Sequence, residues 1–239
     1  MRLYFPVFLF LLNSFFANAQ KGMTTVGLQI KPIIPFTVSG SNKIVQDTSG
    51  VHFERELLSG MNFGAVIRHN FSNLVALEVG INYIKRNYAL RISEGSFVDN
   101  TEFRIIGYEI PVMFMMYSRM SEHFYINGSL GPTLDMFASH IETFDPNFQH
   151  VSFRNHVFIP ALASNVGIEY RTEKSGNIYF GVSFQRPFDF IYLSRVGFYK
   201  DRPNDPLISE AQLSGTYLTI DFRYFFPESK RKAGYQIEE

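Results

Sequence analysis

The most regular feature of this chain is a period of two. Over residues 75–83 the odd positions are Val75, Leu77, Val79, Ile81 and Tyr83, and the even ones are Ala76, Glu78, Gly80 and Asn82. Over 178–190, Ile178, Phe180, Val182, Phe184, Phe188 and Phe190 alternate with Tyr179, Gly181, Ser183, Gln185 and Asp189, and Arg186 breaks the apolar series. Over 218–226, Leu218, Ile220, Phe222, Tyr224 and Phe226 alternate with Thr219, Asp221 and Arg223. One face is bulky and apolar and the other is small or polar, as in strands buried on one side. Weaker copies start at Val26, Met61, Tyr108, Phe124 and Phe158, so the alternation predicts eight strands.

The stretches between these strands alternate in length. Short turns are predicted near 70–73, 118–122 and 171–177, and long polar links over 35–57, 87–103, 139–156 and 191–211. A secreted sandwich has no reason to gather its long loops at one end. A transmembrane barrel does, with tight periplasmic turns, longer extracellular loops and an even strand count. The expected fold class is therefore all-β: an eight-stranded antiparallel up-and-down transmembrane barrel with both ends on the periplasmic side. Phe71, Tyr117, Phe124, Tyr170, Tyr224 and Phe226 are expected to form a periplasmic girdle, and Tyr83, Phe158, Phe188 and Phe190 an outer one. Pro111, Pro132, Pro160 and Pro187 fall inside predicted strands, where each removes a ladder hydrogen bond, so bulges are expected there.

Residues 1–19 have Arg2 ahead of an apolar run and end in Ala17-Asn18-Ala19, which reads as a cleaved secretory signal peptide. The expected organisation is a signal peptide over 1–19, a barrel domain over 20–226 and a polar periplasmic tail over 227–239. Composition agrees with this reading. The chain has 22 basic and 22 acidic residues, so nothing in its charge points to nucleic acid. It has no cysteine, which removes disulfides, thiolate metal sites and a thiol nucleophile.

Several runs together carry a family resemblance. They are Gly60-Met-Asn-Phe-Gly-Ala-Val66, residues 73–83 (NLVALEVGINY), Tyr108-Glu-Ile-Pro-Val112, the stretch from Tyr125 to Gly131-Pro132, Val166-Gly-Ile-Glu-Tyr170, and the closing 217–226. In order and spacing they resemble the PorT-like outer-membrane β-barrel family of Bacteroidota. The resemblance implies an eight-stranded barrel in the outer membrane of a Gram-negative cell. It also allows a role beside a type IX protein secretion system, in which the PorT protein takes part.

Candidate chemistry is sparse. His140, His150 and His156 share one predicted link with Glu142 and Asp145, but their spacing matches no compact ligand motif, and they read as solvated loop histidines. His52 with Glu54 and Glu56 reads the same way. Ser139 beside His140 would serve a lipid-modifying enzyme only if geometry joined nucleophile and base. The expectation is no catalytic residue, no cofactor and no metal site, hence a non-enzymatic structural or partner-binding scaffold. The alternatives are a secretion accessory or a lipid-modifying enzyme. Expected partners are outer-membrane lipid and lipopolysaccharide, with other envelope or secretion proteins, and not nucleic acid.

The charges assigned to the lumen are more informative. They are Lys31, Arg68, Arg171 and Arg223 with Glu78, Glu109, Asp135, Glu169, Asp189 and Asp221. An eight-stranded barrel is only wide enough for side chains to fill, and buried ions must pair. A plug of ion pairs is expected rather than a channel, with an acidic ion path as the alternative. Closing the first strand on the last should bring Lys31 and Gln29 to Asp221. Arg186 either snorkels outward to a lipopolysaccharide phosphate or is turned inward by a bulge at Pro187.

Overall fold

In the computed structural model, residues 23–35, 43–172, 174–202 and 204–227 are described; the expected signal segment and the tail beyond 227 lie outside them. The described residues form fourteen strands. In chain order they are β1 (Met23–Ile34), β2 (Lys43–Thr48), β3 (Val51–Leu57), β4 (Gly60–Asn70), β5 (Val75–Glu94), β6 (Phe97–Arg119), β7 (Phe124–Phe137), β8 (Ile141–Phe144), β9 (Phe148–Arg154), β10 (Phe158–Arg171), β11 (Asn177–Pro187), β12 (Tyr192–Phe198), β13 (Leu207–Leu213) and β14 (Tyr217–Phe225).

Eight of these close into a ring. Hydrogen-bonded neighbours run β1, β4, β5, β6, β7, β10, β11, β14 and back to β1, all antiparallel. These are the eight strands that the alternation predicts. The register also sets the stagger. From Tyr83 the partners run to Phe63, Ile30, Phe222, Phe180, Ile168, Ile126 and Ser118. Ser118 lies two residues past Met116, the partner of Val75, so the circuit returns level with Asn73, ten residues below its start. A stagger of that size on eight strands goes with a tilt of roughly 35–45° and an interior that side chains fill.

The ring is inside-out by the standard of a water-soluble sheet. Leu28, Ile67, Ile81, Phe114, Leu130, Val166, Phe180 and Phe222 point outward and are exposed. Glu78, Glu109, Asp135, Glu169, Asp221, Arg68 and Arg223 point inward and are buried. That distribution suits hydrocarbon outside and a packed polar lumen inside. Glycines make room in the narrow interior. Gly167 and Gly181 face each other across β10 and β11, and the Tyr179 ring lies over both where any Cβ would collide with it.

The structure departs from the sequence pattern in three respects. The long links are mostly not loops. β5 and β6 run 20 and 23 residues, beyond the membrane band, and β2 and β3 extend their sheet. A second sheet, ordered β13-β12-β9-β8, packs against it. Along β5 the change is visible at Tyr83. Below it Glu78 and Asn82 face inward; above it Ile84, Tyr88, Leu90 and Ile92 do, while Lys85, Asn87 and Arg91 face out. Once the strand leaves lipid, water takes the outer face and apolar residues turn inward, so the pattern inverts. Second, the prolines make no bulges. Pro132 pairs with Leu162, Pro160 with Leu134, Pro187 with Ala161 and Pro111 with Thr133 in unbroken register. Third, Tyr117 does not join the girdle: it is buried in the lumen, where the Arg171 guanidinium lies 4.6 Å from its ring centre.

Candidate functional site

The interior is built in three tiers. At the periplasmic end Arg68 on β4 donates to Glu78 on β5 at 2.9 Å and to Glu169 on β10 at 2.5 Å. Arg171 donates to Glu169 at 2.6 Å, and Arg223 on β14 bridges Glu78 at 2.5 Å and Asp221 at 2.7 Å. Lys31 reaches Asp221 at 3.6 Å, the contact expected at the seam, while Gln29 instead donates to Asn82 at 2.5 Å. The guanidinium planes also rest on rings. Arg68 lies 3.7 Å from the Phe225 centre and Arg223 lies 4.8 Å from that of Tyr179. Such stacking suits Arg better than Lys, since the guanidinium is planar and weakly hydrated.

The middle tier centres on Arg86, which stands 3.2 Å from both Glu109 and Asp135. Asn62 and the Tyr217 hydroxyl donate to Glu109 at 2.7 and 2.5 Å, and Gln185 donates to Asp135 at 2.7 Å. Between the two tiers a cavity of about 30 Å³ is lined by Lys31, Asn62, Glu78, Asn82 and Glu109 among others. That is room for roughly one or two waters and not for a conducting path. Arg86 has no place in the predicted scheme, because the predicted strand ends at Tyr83 and the long link begins at 87, whereas β5 runs through it. Asp189, assigned to the lumen, instead lies exposed above the barrel, where it accepts from Asn155 at 2.9 Å. Among the described residues the lumen therefore holds five cations, Lys31, Arg68, Arg86, Arg171 and Arg223, against five carboxylates.

The upper tier is an apolar roof. Ile33, Ile84, Ile105, Phe137, Ile159 and Tyr217 from the barrel strands join Phe53, Phe103, Phe148, Tyr192 and Phe198 from the two extracellular sheets in one buried cluster. The sandwich core thus seals the outer mouth. Within it sits one polar island. Arg55 on β3, 1 % exposed, donates to Ser194 Oγ at 3.0 Å and to the Ser209 carbonyl and hydroxyl at 3.0 and 3.1 Å. No carboxylate among the described residues pairs with it. His150 on β9 is not the solvated loop residue that its spacing predicts: it is fully buried, with its ring 4.3 Å from that of Phe103. Its Nε2 meets Ser194 Oγ at 3.0 Å and Ser152 Oγ at 2.9 Å, while Nδ1 has no partner.

The other histidines are dispersed. His140 Nδ1 accepts from the Arg154 amide, His52 pairs with Asp47, and His156 is exposed. Ser139 contributes only its carbonyl, to the Tyr192 hydroxyl, so it makes no nucleophile–base pair with His140. Among the described residues the one Ser–His constellation, at His150, lacks a carboxylate on Nδ1 and is closed to solvent. Among the described residues no three potential ligands come together for a metal.

Burial, then the Arg55 charge, pushes His150 down to about 4, and burial pulls Arg55 down to about 10. The folded cap therefore holds a neutral imidazole, whereas the unfolded segment takes up a proton below pH ~6.5. The resulting stability is complete above pH ~6.5 and is lost as pH falls from there to about 4, by about 3 kcal/mol. Hydrogen exchange of β9 and β12 amides should accelerate over that interval while β10 and β14 stay protected. His150→Gln should flatten the dependence, and an unchanged pH profile in that variant would refute the assignment.

No protein-family model matches the chain, and no curated protein sequence does. Among solved structures it is similar to the outer-membrane protein OprG of Pseudomonas aeruginosa, with a TM-score of 0.54 and 14% identity over 87% of this chain and 97% of that one. It also aligns with the outer-membrane protease OmpT of Escherichia coli at 9% identity over 87% of this chain and 95% of that one, but the TM-score of 0.39 carries no weight. At these identities the likeness concerns architecture alone. Together with the closed ring, it establishes the fold as that of an eight-stranded outer-membrane β-barrel.

Proposed function

We propose that this protein is a non-conducting, non-enzymatic scaffold of the outer membrane, whose barrel anchors a rigid extracellular β-sandwich for partner binding at the cell surface. The observation that carries the reading is the closed interior. Ion pairs fill the lumen from Arg171 to Arg86, and an apolar roof continues from there into the sandwich core. A barrel plugged along its length offers solutes no path, which leaves the extracellular body as its working part. That body is sheet on sheet rather than mobile loop, and a rigid scaffold is what recognition surfaces need. Its outer faces present Val45, Val98, Phe144 and Ile208 to solvent, with Phe144 70% exposed. Exposed apolar side chains on a fixed surface favour protein contacts.

The test is electrical. Purified protein reconstituted in planar bilayers should give no current steps above leak at any applied voltage that the bilayer survives. Discrete openings in the wild-type protein would overturn the non-conducting reading and favour an ion path through the acidic lumen.

A further inference from the structure

The membrane-facing surface departs from its apolar pattern near the outer rim. Arg186 lies nine residues up β11 from Asn177, the first residue of its ladder. At roughly 3.3 Å per residue and a tilt near 40°, that is about 23 Å of height, close to the ~25 Å apolar band of such barrels. The register passes through Arg186 opposite Leu162 and Pro187 opposite Ala161 without an inserted residue. Arg186 consequently points outward and is exposed while Pro187 is buried. Among the described residues its side chain makes no hydrogen bond and no ion pair.

A groove of about 520 Å³ adjoins it, walled by Leu130, Leu162, Phe184 and Phe188. Ser164 opens into the same groove, in register with Phe184 and so one step nearer the bilayer centre than Arg186. Its hydroxyl also has no partner among the described residues. From the rim inward the surface therefore offers a cation, a hydroxyl and an apolar trough. No outward-facing carboxylate lies on the barrel strands below this level among the described residues.

We propose that this groove is a binding site for a phosphate-bearing, acylated glycolipid of the outer leaflet. The phosphate meets Arg186 in a charge-assisted hydrogen bond, for which a guanidinium fork is suited. The ester or amide linkage of an acyl chain meets Ser164, and the chain lies along Leu130, Leu162 and Phe184. Charge complementarity and the order of groups with depth both fit this occupant. An isolated cation facing lipid is costly, and a headgroup phosphate at snorkelling distance relieves that cost. The inference rests on the outer-membrane reading but not on whether the lumen conducts.

The experiment uses full-length protein in detergent micelles, with monophosphoryl lipid A and its dephosphorylated counterpart as probes and native mass spectrometry as readout. Wild type should retain one phosphorylated lipid with a preference of about ten-fold or more, the range of one charge-assisted contact. Arg186→Gln should bring that preference close to unity, and Arg186→Lys should keep part of it. Lys85→Gln, which removes an outward cation at the same rim away from the groove, should leave it intact. Ser164→Val should weaken binding of both lipids. A wild-type preference retained in Arg186→Gln, a loss in Lys85→Gln as large as that expected for Arg186→Gln, or displacement by millimolar inorganic phosphate would each overturn the site. A compact, heat-modifiable band in unheated SDS gels keeps the two readings apart. If wild type lacks that band, the barrel reading falls and the site with it; if it has the band but shows no phosphate preference, only the site falls.

Discussion

Replacing Arg86 with Met should cost about 3–5 kcal/mol of barrel stability, the range for removing one partner of a buried ion pair. Arg86 is fully buried and is the one ion-pair partner of both Glu109 and Asp135 among the described residues. Its loss leaves two carboxylates facing each other in the narrow lumen with only neutral donors, Asn62, Tyr217, Gln185 and Thr133, beside them. Arg68, by contrast, leaves behind carboxylates that other cations still hold: Glu78 keeps Arg223 and Glu169 keeps Arg171. Arg68→Met should therefore cost less than Arg86→Met. The measurement is the temperature at which the fast-migrating folded band disappears from SDS gels. The triple variant Arg86→Met/Glu109→Gln/Asp135→Asn should recover much of the loss, because it removes the desolvated charges together. If Arg86→Met melts like wild type, the middle tier does not hold the barrel closed.

The second large effect belongs to the roof. Phe53 and Phe198 are both fully buried and meet edge to face with centroids 6.4 Å apart, and Phe198 also packs on Phe97 at 5.8 Å. Phe53→Ala should cost about 3–5 kcal/mol through lost burial and the cavity left behind. The penalty should fall on the extracellular sandwich and spare the ring, whose strands close on each other without it. Protease added to intact cells should then cut the cap connections of the variant and leave a heat-modifiable barrel. If barrel and cap instead melt together, they form one cooperative unit, and the division into anchor and display body is wrong.

The residues behind these two predictions differ in how visible they were in the sequence. Glu78, Glu109, Asp135 and Asp221 could be assigned to the lumen because each sits in phase with small or polar neighbours along its own strand. The Lys31–Asp221 seam follows from one topological fact, that a closed up-and-down ring must pair its first strand with its last. Arg86 was hidden because the strand continues past the membrane edge, where the apolar face moves from outside to inside. Lipid-facing parity ends at that point although the strand does not. Tyr117 was hidden for a different reason. Its outward neighbours Met116 and Ser118 place it inward by parity, but an aromatic residue at a strand end also fits the girdle, and only packing against Arg171 decides. His150 and Arg55 carried no signal, since the links containing them show short alternations that read as polar loop.

What the sequence determined by itself is the number of barrel strands, the face that most side chains take along their membrane-spanning parts and the end at which the short turns lie. Those depend on the period-two geometry of a strand and on the medium around it, both of which act from one residue to the next. What only the tertiary structure decided is which cation serves which carboxylate, the ten-residue stagger that sets the bore, and the second sheet that roofs the lumen. Those depend on pairings between strands far apart in the chain, whose register is fixed by mutual packing and by charge neutralisation in a space too narrow for a column of water.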